Sequence, residues 1–365
     1  MEWKKGICSS IKLEGQFFNE GDIDTLTLEK GSFKESLFVF LKEWWNDEPY
    51  IRVHTSGSTG VPKELRVEKL RMMQSARITC SFLDLKQGDR TLLCMPLDYI
   101  AGKMVVVRAI TWGLDLIPIS PSSHPLSDEK TNYLDFAAMV PLQVYNSLQV
   151  PEEKKRLISI RHLIIGGGAI NADLEESLFN FPNQIWSTYG MTETLSHIAL
   201  RRLNGREASP YYTPFKGVTL SLSSEDTLVI QAPEVCPETL VTNDRAELIS
   251  DGRFRIMGRK DNVICCGGVK LQIEEIERLL QIHIQTSFAI SWIPDARFGQ
   301  IVVLLLETSE KRLRPEHLDE IFQSLPSYWI PKYILETSKI PLTETGKLAR
   351  GKIHELCCCI KEVTE

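Results

Sequence analysis

No apolar stretch in this chain approaches the roughly 20 residues needed to cross a bilayer, so no membrane insertion is expected. No long basic run is present and the formal net charge is −6, which argues against a nucleic-acid partner. The N-terminus Met1-Glu2-Trp3-Lys4-Lys5-Gly6 has no apolar core behind its lysines, so it does not read as a signal peptide, and a cytoplasmic location is expected. The nine cysteines form no C-x-x-C pair matched by a second one. Adjacent thiols such as Cys265-Cys266 and Cys357-Cys358-Cys359 suit neither a disulfide framework nor a tetrahedral zinc site, so reduced structural thiols are expected. Internal repeats and low-complexity tracts are absent as well.

What is present is the balance of an ordinary globular protein, with 43% apolar and 25% charged residues in 365. That length exceeds what one hydrophobic core usually organises, so two domains are expected. Phe33 to Trp45 carries helical spacing of apolar residues. From residue 50 an α/β rhythm sets in: the strand Tyr50 to His54, a helix from about Val67 to Phe82, and strands at Thr91 to Met95, Leu163 to Ile165 and Gln184 to Trp186. Strands separated by helix-length segments indicate a largely parallel sheet whose C-terminal edge carries the ligand loops. After residue 215 the texture becomes short alternating strands, at Val218 to Ser223, Leu228 to Gln231, Glu247 to Ser250 and Arg253 to Met257. Beyond Gly258-Arg259-Lys260-Asp261, helices at Ile273 to Gln281 and Pro315 to Leu325 and strands at Phe288 to Trp292 and Ile301 to Glu307 suggest a compact α+β unit. The reading is an α/β protein with a large N-terminal domain, 1–258, that includes a small β-subdomain, and a small α+β C-terminal domain, 259–365.

The densest chemical signal is Thr55-Ser56-Gly57-Ser58-Thr59-Gly60-Val61-Pro62-Lys63, which follows a strand. Glycines admit an anion to backbone N–H groups, hydroxyls add donors, and Lys63 adds charge, a combination suited to wrapping polyphosphate. It is not a Walker loop, because Pro62 precedes the lysine and Glu64 stands where a magnesium-binding hydroxyl would be. Gly166-Gly167-Gly168 follows a buried-looking strand and could lay a flat ring against bare backbone, although such turns are as often simple connections. Tyr189-Gly190-Met191-Thr192-Glu193 follows another strand. There an aromatic ring can flank adenine, a hydroxyl can donate to phosphate, and a carboxylate can hold Mg²⁺; the blander reading is a helix N-cap with an acidic first turn. Lys347 follows a turn glycine, ordinarily a solvated position.

Together these motifs resemble the adenylate-forming superfamily of acyl-CoA synthetases, peptide-synthetase adenylation domains and luciferases. Thr55 to Lys63 is similar to its T-S-G-[ST]-T-G-x-P-K-G loop, with Glu64 in place of the final glycine, and Tyr189 to Glu193 matches Y-G-[MQ]-T-E. Thr242-Asn243-Asp244 resembles T-G-D, Asn243 being tolerable because asparagine enters left-handed conformations. Gly258 to Asn262 resembles G-R-x-D-D, and Pro341 to Arg350 resembles P-x-[ST]-x-[NT]-G-K-x-x-R. The resemblance implies the adenylate-forming fold, with ATP, Mg²⁺ and coenzyme A used by an acid–thiol ligase. It implies that Gly166 to Gly168 border adenine, Asp244 binds the ribose hydroxyls, and Arg259 binds ribose or phosphate oxygens. Asp261 falls on the hinge, Gly267, Gly268 and Lys270 line the thiol tunnel, and Lys347 is the catalytic lysine beside Thr192 and Glu193.

Within that class the chain is shorter at its N-terminal side than most members. Met95-Pro96-Leu97-Asp98-Tyr99-Ile100-Ala101-Gly102 and Gly190 to Ser196 are similar to stretches of the short o-succinylbenzoate–CoA ligases of menaquinone synthesis, with Tyr99 replacing a histidine. The implied acid is an aromatic keto diacid, whose second carboxylate needs a donor; Tyr99, Ser196, His197, Lys103 and Arg108 are the candidates. Another aryl or short acyl acid, or a carrier-protein thiol as acceptor, stays open, and so does the choice between monomer and homodimer.

Overall fold

The computed structural model describes residues 8–23, 29–54, 64–168, 170–284, 286–308, 321–323, 325–343 and 347–364. The chain divides into two compact units, Met1–Leu220 with Ile230–Leu240 and Ser250–Arg253, and Ser221–Val229 with Val241–Ile249 and Phe254–Glu365.

The first unit is built on a sheet that opens with the hairpin β1 (Ser10–Leu13) and β2 (Gln16–Asn19), followed by the short helix α1 (Glu20–Ile23). Helix α2 (Phe33–Trp45) matches the periodicity read from the sequence; Ser32 caps it by accepting the Glu35 N–H at 3.2 Å, and Leu37, Phe38, Phe40, Leu41 and Trp44 are buried. β3 (Tyr50–His54) and β4 (Glu64–Glu68) pair antiparallel, so residues 55–63 connect a hairpin. Helix α3 therefore begins at Lys69 and ends at Phe82, two residues later than Val67, because Glu64–Glu68 is drawn into that hairpin.

Then come β5 (Arg90–Leu93), α4 (Ile100–Trp112), β6 (Asp115–Pro118), β7 (Phe136–Met139), α5 (Pro141–Gln149), α6 (Pro151–Ser159), β8 (His162–Ile165), α7 (Ala172–Leu178), β9 (Gln184–Gly190), β10 (His197–Arg202) and β11 (Thr213–Pro214). Their sheet runs β11-β10-β9-β8-β7-β5-β6-β1-β2 among the described residues. The six strands from β9 to β1 are parallel to their neighbours, and both edges are antiparallel. β6, β7 and β8 are buried along their whole lengths, as expected for central parallel strands shielded on both faces. β10 must run antiparallel to β9, since the six residues between them are too few for a crossover. The order reverses after β6, where the chain passes to the far side of β5 to form β7; such reversals open a crevice at the strands' C-terminal ends.

Four strands, β12 (Thr219–Leu222), β13 (Thr227–Ala232), β14 (Cys236–Leu248) and β15 (Phe254–Arg259), form a further sheet in sequence order that supplies residues to both units. β14 is far longer than the Glu247 to Ser250 strand expected. In the second unit, β16 (Val263–Cys266), β17 (Val269–Gln272), β18 (Phe288–Asp295), β19 (Gly299–Glu307) and β20 (Tyr333–Thr337) form a sheet accompanied by α8 (Ile273–Gln281) and the helix Arg350–Thr364. Its core gathers Ile264, Leu271, Ile276, Leu280, Ile290, Val303, Leu305 and Ile353, all buried. The helix expected over Pro315 to Leu325 falls mostly outside the described residues. All nine cysteines carry free thiols, and burial pushes Cys80 and Cys94 up to about 12. Among the described residues no helix is long and apolar enough to cross a membrane.

Candidate functional site

Two glycines at the sheet's C-terminal edge are dictated by contact. Ile165 and Ser187 are register partners on β8 and β9, which brings Gly166 against Thr188; a Cβ on Gly166 would lie 2.3 Å from Thr188 Oγ1. A Cβ on Gly190 would lie 2.3 Å from the Ser196 carbonyl oxygen. Gly167 is in the left-handed region at φ 80°, and Gly168 completes the turn. Tyr189, half-buried, is the last residue but one of β9, its ring 5.9 Å from that of Tyr212, whose hydroxyl is 2.8 Å from Ser187 Oγ.

The strand is followed by a turn rather than a helix. Leu195, at φ 65°, donates its N–H to the Thr192 carbonyl at 2.9 Å. The buried Thr194 hydroxyl accepts from Met191 N–H at 3.0 Å and donates to Ser196 O at 2.7 Å. No N-cap exists at Thr192, because β10 begins at His197. The turn leaves Thr192 half-buried and Glu193 exposed. No described cation pairs with Glu193, and no cluster of three or more His, Cys, Asp or Glu occurs among the described residues. A lone carboxylate at a strand's C-terminal end suits Mg²⁺, which keeps most of its waters and takes its remaining ligands from substrate phosphates. Thr55, Ser56, Gly57, Ser58, Thr59, Gly60 and Lys63 lie outside the described residues. Glu64 begins β4 opposite His54, with Arg52 Nε 4.0 Å from its carboxylate.

The acyl-site candidates separate into two places. Arg108, on the all-round buried α4, is 2% exposed; Nη2 donates to Ser196 Oγ at 2.6 Å and Nε has no hydrogen-bond partner among the described residues. No described carboxylate pairs with it, and burial pulls its pKa down to about 10. Ser196 Oγ is also 3.2 Å from His197 Nδ1, and burial holds His197 well below the usual histidine range. Lys103 instead lies 3.7 Å from Glu43 and 4.9 Å from the Phe40 ring centroid, both on α2, so it is engaged away from Arg108. Tyr99 occupies the N-cap position of α4.

The second unit gathers Asp244, Arg259, Asp261 and Lys347. Asp244 and Arg259 are register partners on β14 and β15, with Arg259 Nη1 3.6 Å from the Asp244 carboxylate and Nη2 3.1 Å from Asp261. Asn243 is not left-handed: it lies within extended β14 and donates through Nδ2 to Asp261 at 3.2 Å. Its tolerance in place of glycine thus comes from that side-chain bond, not from φ. Lys347 is set by a hairpin in which Thr343 N–H donates to Lys347 O at 2.7 Å and Lys347 N–H to Thr343 Oγ1 at 3.1 Å. Crowding by protein atoms, then the Arg259 charge, lower the Lys347 pKa, with Asp244 opposing them in part. Arg350 anchors the same segment through two 2.6 Å bonds to Glu277 on α8. Gly267 and Gly268, at φ 57° and 81°, form the two-residue turn between β16 and β17, and Lys270 is exposed on β17.

Sequence motifs did not single out Thr79, Tyr212, Thr343 or Glu277 for roles. Thr343 stood inside a matched motif and Glu277 inside an expected helix, whereas Thr79 and Tyr212 belonged to no motif.

The pattern of the AMP-binding enzyme family matches residues 17–238. The chain belongs to that family, within the adenylate-forming superfamily. Another likeness is to an acyl-CoA synthetase (AMP-forming)/AMP-acid ligase II-like protein of Dyadobacter fermentans, 30% identical, covering 92% of this AMP-binding enzyme and 97% of that chain at a TM-score of 0.63. A 2-succinylbenzoate–CoA ligase of Listeria monocytogenes is 24% identical over 336 residues, 83% of this chain and 69% of the relative. The o-succinylbenzoate coenzyme A synthetase of Bacillus subtilis, solved with ATP and a magnesium ion, shares the fold at a TM-score of 0.70 and 21% identity, over 83% of this chain and 69% of that one.

Proposed function

We propose that this AMP-binding enzyme joins a carboxylic acid to the α-phosphate of ATP and then passes the acyl group to coenzyme A, with o-succinylbenzoate as the acid. The observation that carries the choice of acid is Arg108, a buried guanidinium that among the described residues meets no carboxylate and finds no partner for Nε. A buried cation without a counterion is costly in the unliganded protein, and an anionic substrate group relieves it. The names of the Listeria and Bacillus relatives support the same acid.

Adenylation brings two anions together, so catalysis rests on charge neutralisation and alignment. The carboxylate oxygen attacks the α-phosphorus and pyrophosphate leaves. Lys347 faces the carboxylate and α-phosphoryl oxygens, the Thr192 hydroxyl donates to the α-phosphate, and Lys63 with the hydroxyls of 55–60 orients the departing pyrophosphate. Glu193 would hold Mg²⁺, which supplies positive charge against the phosphates. Tyr189 and Gly166 to Gly168 flank adenine, Asp244 accepts from the ribose hydroxyls, and Arg259 binds ribose or phosphate oxygens. In the second half-reaction residues from 259 onward turn about Asp261, and the thiolate sulfur of coenzyme A attacks the acyl carbon along Gly267, Gly268 and Lys270, expelling AMP.

A pyrophosphate-release screen over carboxylic acids, with and without coenzyme A, tests this reading. Stimulation by o-succinylbenzoate among aryl acids, with acyl-CoA formed when coenzyme A is added, is expected. Indifference to that acid removes the substrate reading, and adenylation without acyl transfer to free coenzyme A points to a carrier-protein thiol. Arg108→Met is expected to raise KM for o-succinylbenzoate by about tenfold or more while leaving KM for ATP unchanged, as loss of one charged hydrogen bond predicts.

A further inference from the structure

Thr79 belongs to no motif, yet it ends a line of buried hydrogen bonds that starts at Arg108. Arg108 Nη2 lies 2.6 Å from Ser196 Oγ, Ser196 Oγ 3.2 Å from His197 Nδ1, His197 Nε2 3.1 Å from Thr79 Oγ1, and Thr79 Oγ1 3.2 Å from the Ser75 carbonyl oxygen. Thr79 is 0% exposed, Arg108 2% and His197 7%, while Ser196 is half-buried; the two bonds of the Thr79 hydroxyl are buried, so water does not compete for them. The line joins three elements of the first unit: α4, the β9–β10 connection with the start of β10, and α3.

Proton counting gives the line a direction. A guanidinium only donates, so Ser196 Oγ accepts at that end; a carbonyl only accepts, so the Thr79 hydroxyl gives its one proton to Ser75. Thr79 Oγ1 is then left as the acceptor for a proton on His197 Nε2. Nδ1 is bare in that tautomer and takes the Ser196 hydroxyl proton. Every proton in the line is used once, and each dipole presents its negative end toward Arg108. The opposite tautomer would leave the Ser196 hydroxyl proton without an acceptor among the described contacts and would aim a ring N–H at the oxygen that Arg108 already needs.

We propose that Thr79 and His197 are positioning residues for Arg108: they fix the Ser196 lone pair on Nη2 and so hold the guanidinium for a second anionic group on the acyl substrate. The specificity part of this rests on the diacid reading above, whereas the direction of the relay does not. Ser196 is thereby committed twice, as acceptor and as donor, and serves the substrate through Arg108 rather than by touching it.

The test uses the full-length enzyme. Two-bond proton–nitrogen correlations on ¹⁵N-histidine protein should show His197 protonated at Nε2 and bare at Nδ1; the opposite tautomer overturns the relay. Thr79→Val should raise KM for o-succinylbenzoate by about threefold to tenfold, the worth of one hydrogen bond between neutral groups, with kcat and the KM for benzoate and ATP unchanged. Thr79→Ser should restore it. Equal loss with o-succinylbenzoate and benzoate, or no rescue by serine, reduces Thr79 to a packing residue and overturns the proposal. Arg108→Met separates the two claims: if its KM for o-succinylbenzoate is unchanged while the Nε2 tautomer stands, the diacid reading falls and takes the specificity role with it.

Discussion

Lys347 and His197 are both held below their ordinary pKa values, with opposite consequences for their use. Lys347 must be charged to face two anions, so adenylation should fall as pH rises through its folded pKa, which lies below 10.5. Lys347→Arg should move that alkaline limb upward in a pH profile of pyrophosphate release. Lys347→Ala should lower adenylation by about 100-fold, as loss of one aimed donor does, while thiolysis of preformed adenylate continues. Equal loss in both half-reactions would end the assignment. His197 is buried and neutral when folded but protonates below about 6.5 when unfolded. The unfolded chain then binds the extra proton, so stability is present above that pH and is lost as pH falls below it, at up to about 1.4 kcal/mol per unit. His162, also lowered by burial, acts in the same direction. Denaturant titrations between pH 5 and 7 should find His197→Gln less acid-sensitive than the wild type.

Two short segments carry the candidate chemistry, and each is set by a contact that a point change would break. The connection between β9 and β10 places Thr192 and Glu193 ahead of Ser196 and is closed by Gly190 against the Ser196 carbonyl. Gly190→Ala inserts a methyl group where 2.3 Å is available against backbone, so the turn must shift. Loss of both adenylation and diacid preference is expected, at a destabilisation of about 1–3 kcal/mol from overpacking, read by denaturant midpoint. The Lys347 hairpin is tied to α8 by Arg350 and Glu277, and Glu277 also accepts from the Ile290 N–H at 2.8 Å. Glu277→Gln should cost about 2 kcal/mol, as a partly buried charged hydrogen-bond pair does, and should raise hydrogen exchange through residues 341–350 before it affects β5 to β9.

At the scale of the whole molecule, a ligand that binds only the folded state stabilises it by mass action, by about 2.7 kcal/mol at a hundredfold excess over Kd. ATP with Mg²⁺ should therefore raise the Tm, and Asp244→Ala should abolish that rise without lowering the unliganded Tm much. Much of the architecture was legible in the chain. Helix α2, the strands around residues 50, 163 and 184, and the parallel-rich order followed from periodicity and spacing, because amphipathic and all-buried patterns are local. The β1–β2 hairpin was hidden, since its turn Glu14-Gly15 lacks the asparagine or aspartate that marks such turns, although both residues take positive φ. Asn243 was misjudged on φ because its Asp261 partner lies across a strand pair, outside any local window. The chain by itself determined the chemical class, through glycines, hydroxyls, a carboxylate and lysines whose spacing is written in order along it. Tertiary structure alone decided that Arg108 meets no described carboxylate, that Lys103 turns to α2, and that Thr79 completes the relay, because burial and long-range hydrogen bonds arise only when α3, α4 and β10 pack together.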